Sequence, residues 1–270
     1  MTQAEARAEI GVIGGSGFYD FLDDAEQVDV ATPYGSPSDT LTVGTVGGRR
    51  VAFVPRHGRD HRFPPHRIPY RANLWALRSL GVRQVLAPCA VGGLQPHLGP
   101  GSLVVPDQLV DRTSGRVQTF HEEGAVHVPF ADPYCPVGRR VVNELAGEAG
   151  WALTSRGTMV VIEGPRFSTR AESQSYSRQG WDVVNMTGHP EAVLARELAL
   201  CFTAVALVTD LDAGVDAEGA VTAQDVFRVF ADNVGRLRTL LTDVVAQLPA
   251  ERDCPCGSAL DGLDVRLQLP

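Results

Sequence analysis

TAVALVTDLDAG, residues 203–214, decides how the chain is read. An unbroken apolar run from Ala204 to Val208 ends abruptly in Thr209-Asp210-Leu211-Asp212. That profile predicts a parallel-sheet strand, buried on both faces, that delivers side chains at its carboxyl end. Open α/β sheets bind ligands at that end. Because side chains alternate along extended backbone, Asp210 and Asp212 point to the same side. As a pair they make a tweezer that accepts hydrogen bonds; taken singly they read as a helix N-cap and a solvated loop acid.

With 270 residues the chain can bury one large α/β core, expected over residues 10–248, with tails at 1–9 and 249–270. The net charge is −8, from 24 basic and 32 acidic residues without a basic run, which argues against a nucleic-acid or anionic-membrane partner. No apolar run approaches the roughly 20 residues of a membrane span. Five scattered cysteines and an opening, MTQAEARAEI, that lacks an apolar signal stretch predict a reduced, cytoplasmic setting. The pair Cys254-Pro255-Cys256 lacks two further ligands nearby for a zinc site, so it reads as part of a tail and no metal is expected.

Outward from the central strand, other predicted strand ends carry small or cationic residues. Ile10 to Ile13 runs into Gly14-Gly15-Ser16-Gly17, where missing Cβ atoms let backbone amides approach an anion and Ser16 adds a hydroxyl. A strand ending at Val54 emits Pro55-Arg56-His57, the start of the densest cationic patch in the chain, and arginine's fixed fork suits phosphate oxygens. Beyond Arg59 the same patch also reads as a solvated loop. Gln84 to Ala87 leads into Cys89-Ala90-Val91-Gly92-Gly93, which reads as another tight turn. From Gly101 the segment SLVVPDQLVDRT reads as a strand and an irregular loop, the loop continuing to about Cys135 through His121 and His127. Phe167, after a predicted strand, either stacks on a planar ring or joins the core. Thr187, before a helix starting at Pro190, sits where a dipole's positive end receives an anion. A last amphipathic helix, opened by Thr222-Ala223-Gln224-Asp225, carries a stripe of Val226, Phe230, Val234, Leu237, Leu241, Val244 and Leu248 that reads as core packing.

Seven ordered blocks carry a resemblance. They are VIGGSGF (12–18), PRHGRDH (55–61), IPYRANLWAL (68–77), DQLVDRT (107–113), GTMVVIEGPRFSTRAES (157–173), NMTGHPEAVLARE (185–197) and TDLDAG (209–214). Together they resemble the family of trimeric purine nucleoside phosphorylases and methylthioadenosine phosphorylases. The resemblance implies an α/β fold: a single-domain mixed sheet with a distorted barrel, helices on both sides, assembled as a homotrimer or a dimer of trimers. It implies phosphate held by Ser16, Arg56, His57, Cys89, Ala90 and Thr187. It implies a nucleoside held by Phe167, Ser168, Met186, Asp210, Leu211, Asp212 and Ala223, with His127 reaching in from a neighbouring subunit. Asp210 and Asp212 would be the catalytic pair, inorganic phosphate the co-substrate, and no cofactor or metal would be required.

Base preference follows from donors and acceptors. Family members that act on 6-oxopurines place a glutamate at the position of Ser168 and an asparagine at that of Asp210. This chain has neither, and two carboxylates suit the exocyclic amine of a 6-aminopurine. At the sugar's 5′ end those members use a histidine where Ala223 stands, and a small apolar residue suits a thioether. The expected reaction is phosphorolysis of 5′-methylthioadenosine to adenine and 5-methylthioribose 1-phosphate. The alternatives are a phosphorylase for inosine or methylthioinosine, a hydrolytic nucleosidase, and a non-catalytic nucleotide-binding module.

Overall fold

The computed structural model describes residues 7–15, 18, 22–215 and 222–270. Its spine is β11 (Cys201–Leu211), whose first nine residues are all buried, as an apolar strand sandwiched between two layers must be. Along β11 the side chains alternate between two cores. Phe202, Ala204, Ala206 and Val208 enter one, and Val205 and Leu207 enter the other. Helices α1 (Tyr70–Ser79) and α4 (Gly188–Glu197) cover the first face through Leu74, Leu77 and Leu194. Helices α2 (Pro136–Glu148) and α5 (Ala223–Gln247) cover the second through Val142, Leu145, Leu241 and Val244.

β11 runs parallel to β5 (Gln84–Gly93) for the full length of both, with a register shift between Val208 and Asp210. The first half of β5 is paired on its other side by β1 (Ile10–Gly14), which continues in parallel to β4 (Arg49–Pro55). The last two residues of β5 pair instead with β10 (Val183–Asn185), antiparallel, and β10 leads to β9 (Thr158–Ile162) and β7 (Gln108–Arg112). A hairpin of β2 (Asp23–Val28) and β3 (Leu41–Val46) extends the β4 edge. Short strands β6 (Leu103–Val104) and β8 (Leu153–Thr154) flank β11.

The result is an 11-stranded mixed sheet with helices on both sides. The sheet is not closed, which corrects the barrel part of the expectation. Its path ends at β2 and β7, and both carry mostly exposed or half-exposed residues rather than pairing with each other. Because β5 has three strand neighbours, the sheet branches there instead of curling round. A second correction concerns Cys89-Ala90-Val91-Gly92-Gly93, read as a turn from its small residues. The segment continues β5, its small side chains being what a strand end crowded by β10 and β11 can accommodate.

No helix among the described residues is long and apolar enough to cross a membrane. The segment from 249 to 270 is docked on the body rather than trailing from it: Cys256 and Ala259 are buried, and Leu267 and Leu269 pack on the first core.

Candidate active site

The carboxyl ends of β5 and β11 open into a cavity of about 380 Å³. That is a small-molecule volume. Arg56, His57, Cys89, Ala90, Phe167, Ser168, Met186, Thr187, Asp210 and Asp212 all line it, so four of the seven motif blocks and the Cys89-Ala90 segment converge on one cavity. Phe167 is therefore a wall residue of the cavity. Ser16 lies outside the described residues. Leu211 turns away, its side chain packing at Gly93 on the opposite side of the strand, as alternation requires. Ala223 is exposed and outside the wall, because α5 presents Val226, Phe227 and Phe230 to the cavity instead. His127 is exposed on its loop, away from the cavity of its own chain.

The acidic end is built tightly. Gly92 of β5 faces both carboxylates: a Cβ there would lie 3.2 Å from Asp210 Oδ2 and 3.3 Å from Asp212 Cβ. Glycine is what lets the two strands approach at this point. The Thr209 hydroxyl donates to Asp210 Oδ1 at 2.7 Å, and the Ser173 hydroxyl donates to Asp212 Oδ2 at 2.6 Å. Asp212 is held further by the Ala213 amide and by Ser168, so Asp210 Oδ2 is the oxygen better placed for a ligand. Burial, and then the neighbouring charge of Asp212, push Asp210 up to about 6, against the Thr209 bond that works the other way. Burial likewise raises Asp212. Ser168 Oγ is buried beside them, close enough to Asp212 to favour its ionised form.

At the opposite end the electrostatics differ from the sequence expectation. Arg56 is 3% exposed and most of its fork is already spent. It donates to Glu191 at 2.6 and 3.2 Å, to Pro88 O at 3.0 Å and to Ile13 O at 3.0 Å. One Nη1 N–H of its five donors is left for a ligand among the described residues. His57 is neutral rather than cationic, because burial drives its pKa down to about 4. Its Nδ1 lies 2.9 Å from Phe63 O, and a carbonyl only accepts, so Nδ1 carries the proton and Nε2 is an acceptor. Cys89 stays a thiol, since burial raises it to about 12. This end of the cavity is thus a neutral histidine with a compensated arginine behind it, not an open cationic patch. Beyond Arg59 the patch is mostly solvated loop, although His61 stacks on His57 with ring centroids 5.2 Å apart and joins the wall.

Three positioning residues escaped the sequence reading. Glu191 is 1% exposed and sets the Arg56 fork; the two are 135 residues apart, so no local signal links them. Asn185 accepts from the Thr187 and Gly188 amides at 2.7 and 2.6 Å and donates to Ala90 O at 3.1 Å, tying the start of α4 to β5. Arg116, in the irregular stretch, donates to Met186 O, His189 O and Glu163 O at 2.9, 2.6 and 2.7 Å, which pins two wall loops together. A buried arginine satisfied by carbonyls is invisible in a polar loop sequence.

Fold and cavity define an open-sheet α/β enzyme with an acidic pair at one end of a small-molecule cavity and a compensated arginine and a neutral histidine at the other. Comparison with known proteins makes this specific: a family profile described as "Phosphorylase superfamily" matches residues 9–246, and the chain belongs to that superfamily. It is 61% identical to a purine nucleoside phosphorylase of Streptomyces coelicolor, over 98% of this chain and 99% of that one. It is 58% identical to an S-methyl-5′-thioadenosine phosphorylase of Mycolicibacterium smegmatis, over 97% and 99%. Among solved structures it is similar to the methylthioadenosine phosphorylase of Schistosoma mansoni in complex with adenine, at 38% identity and a TM-score of 0.86, covering 91% of this chain and 93% of that one.

Proposed function

We propose that the chain is a nucleoside phosphorylase, a pentosyltransferase that cleaves the N-glycosidic bond of 5′-methylthioadenosine with inorganic phosphate. Adenine and 5-methylthioribose 1-phosphate are the products. The observation that carries this reading is the acidic pair at the cavity end, Asp212 buried and Asp210 half-buried, with Asp210 bonded through Oδ1 to Thr209 and its Oδ2 left to accept from a donor on the base. Adenine's 6-amino group is such a donor. A 6-oxopurine presents an acceptor there, which an ionised carboxylate would repel.

Phosphate sits between the β5 end, Thr187 and the last Arg56 N–H. Monohydrogen phosphate keeps one O–H, and the Nε2 acceptor of neutral His57 matches it. A phosphate oxygen attacks C1′ as the C1′–N9 bond breaks, and the bonding pair leaves with the purine. Asp210 in its acid form passes a proton to N7 of the departing base and is reprotonated from solvent. A pKa near 6 keeps an appreciable acid fraction close to neutral pH. At the sugar's 5′ end, Val226, Phe227 and Phe230 offer only apolar surface, which accepts a thioether and leaves a hydroxyl unpaired. No metal or cofactor has a part in this scheme.

Cleavage of 6-oxopurine nucleosides is the second reading, favoured by the raised Asp210, which as an acid can donate to O6, and by the similarity to the Streptomyces coelicolor enzyme. Incubating the enzyme with methylthioadenosine, adenosine, methylthioinosine and inosine, each with and without phosphate, separates them. Adenine release from methylthioadenosine that requires phosphate is expected. Faster release of hypoxanthine, or equal release in phosphate-free buffer, contradicts the proposal. The active form is read as a homotrimer in a reduced cytoplasm, supported by the apolar start of α5, where Phe227 is 58% exposed, and by five free thiols.

A further inference from the structure

The pair Cys254-Pro255-Cys256 finds in the fold the two partners it lacks in the sequence. Cys135 is the N-cap of α2, and Cys201 is the first residue of β11. The four Sγ atoms all lie within 4.8 Å of one another, with Cys201 and Cys254 3.4 Å apart. All are free thiols, and 3.4 Å is far beyond the roughly 2.05 Å of a disulfide. Cys135, Cys201 and Cys256 are 1 to 3% exposed, and the four thiols form a cluster of their own, packed with Val137 and separate from the two cores that flank β11. Tetrahedral zinc, with Zn–S bonds of about 2.3 Å, sets its thiolates roughly 3.8 Å apart. The observed spacings bracket that value.

We propose that Cys135, Cys201, Cys254 and Cys256 are a tetrathiolate site for a zinc-type divalent cation that clamps the C-terminal segment to the sheet. Soft sulfur donors select such an ion over magnesium or calcium, and a site closed by four protein ligands is structural rather than catalytic. Uptake of one ion displaces up to four thiol protons to solvent and leaves a dianionic cluster. Charge to offset it is close by. The Gly138 amide points at Cys135 Sγ at 3.5 Å, at the positive end of α2. The Arg252 guanidinium lies against Gly257, where a Cβ would be 3.1 Å from Nη2, and it donates to Ala199 O at 2.7 Å. The cluster stands at the amino end of β11 and Asp210 near its carboxyl end, so roughly 30 Å of strand separates them.

The test is elemental analysis of the full-length enzyme, purified without added metal under reducing conditions, together with a thiol count and intact mass. About one zinc per chain is expected. Cys256→Ala should lose the metal and melt several degrees lower while retaining turnover at moderate temperature, since Cys256 is outside the cavity. Should that variant not fold, cobalt(II) added to the reduced wild-type protein must give the intense visible bands of a tetrahedral tetrathiolate. Wild-type protein that neither carries zinc nor binds cobalt in this way overturns the proposal. So does a mass showing two disulfides among these cysteines, or a Cys256→Ala variant that keeps its metal.

Discussion

Asp210 concentrates the chemistry of the site in one side chain. Its carboxyl, ordinarily near 3.8, is held at about 6, first of all by burial. A carboxyl raised in the folded state stabilises the protein below its unfolded pKa, and that contribution is lost as pH climbs through the folded value. Relative to Asp210→Asn, the ligand-free wild type should therefore lose roughly 2–3 kcal/mol between about pH 4 and 7, measurable by urea unfolding across that range. In the proposed reaction the acid form is the working one, so kcat/KM should decline above about pH 6, and this decline should be absent in Asp210→Asn. Phosphate's own ionisation is common to both enzymes and cancels in the comparison. Both acids were legible in the sequence because alternation along a strand is a rule of geometry. Glu191 was not, since a buried ion pair reveals itself only once the chain is folded. Removing it leaves Arg56 charged and uncompensated, so Glu191→Ala should cost about 3–5 kcal/mol of stability by chemical denaturation. Glu191→Gln should cost less, because it can still accept from the fork.

Among the elements, α5 divides where the sequence reading treated it as continuous. The stripe from Leu237 onward is buried core, whereas Val226 and Phe230 are only half covered and line the cavity beside Phe227. The heptad-like pattern could not show this, because an apolar residue facing a ligand has the same spacing as one facing the core. Two substitutions separate the roles. Leu241→Ala should destabilise by about 2–5 kcal/mol and leave KM unchanged. Phe227→Ala, at an exposed position, should leave stability within about 0.5 kcal/mol while raising KM for methylthioadenosine. A steady-state assay and a thermal melt on each variant decide it, and a Phe227→Ala enzyme with wild-type KM would remove α5 from the site. In contrast, β11 was readable outright: apolar on both faces, it has nowhere to go but the centre of a sheet. The end of β5 misled because small residues mark crowded strands as well as turns.

For the whole molecule, the order of the motif blocks foretold which parts meet but not how the sheet ends. The branch at β5 is a tertiary event with no sequence signature, and the open edges follow from it. The cysteine cluster gathers positions 135, 201, 254 and 256, a convergence that spacing alone could not show. Light scattering on the eluted protein should give a mass of three chains, which would account for the uncovered start of α5. The account as a whole depends on the acidic pair choosing the base. Its most direct test is the ratio of kcat/KM for methylthioadenosine to that for methylthioinosine, measured in the wild type and in Asp210→Asn. The ratio should strongly favour the aminopurine in the wild type and fall roughly 10- to 100-fold in the variant, the worth of one buried hydrogen-bond mismatch. An unchanged ratio would contradict the account.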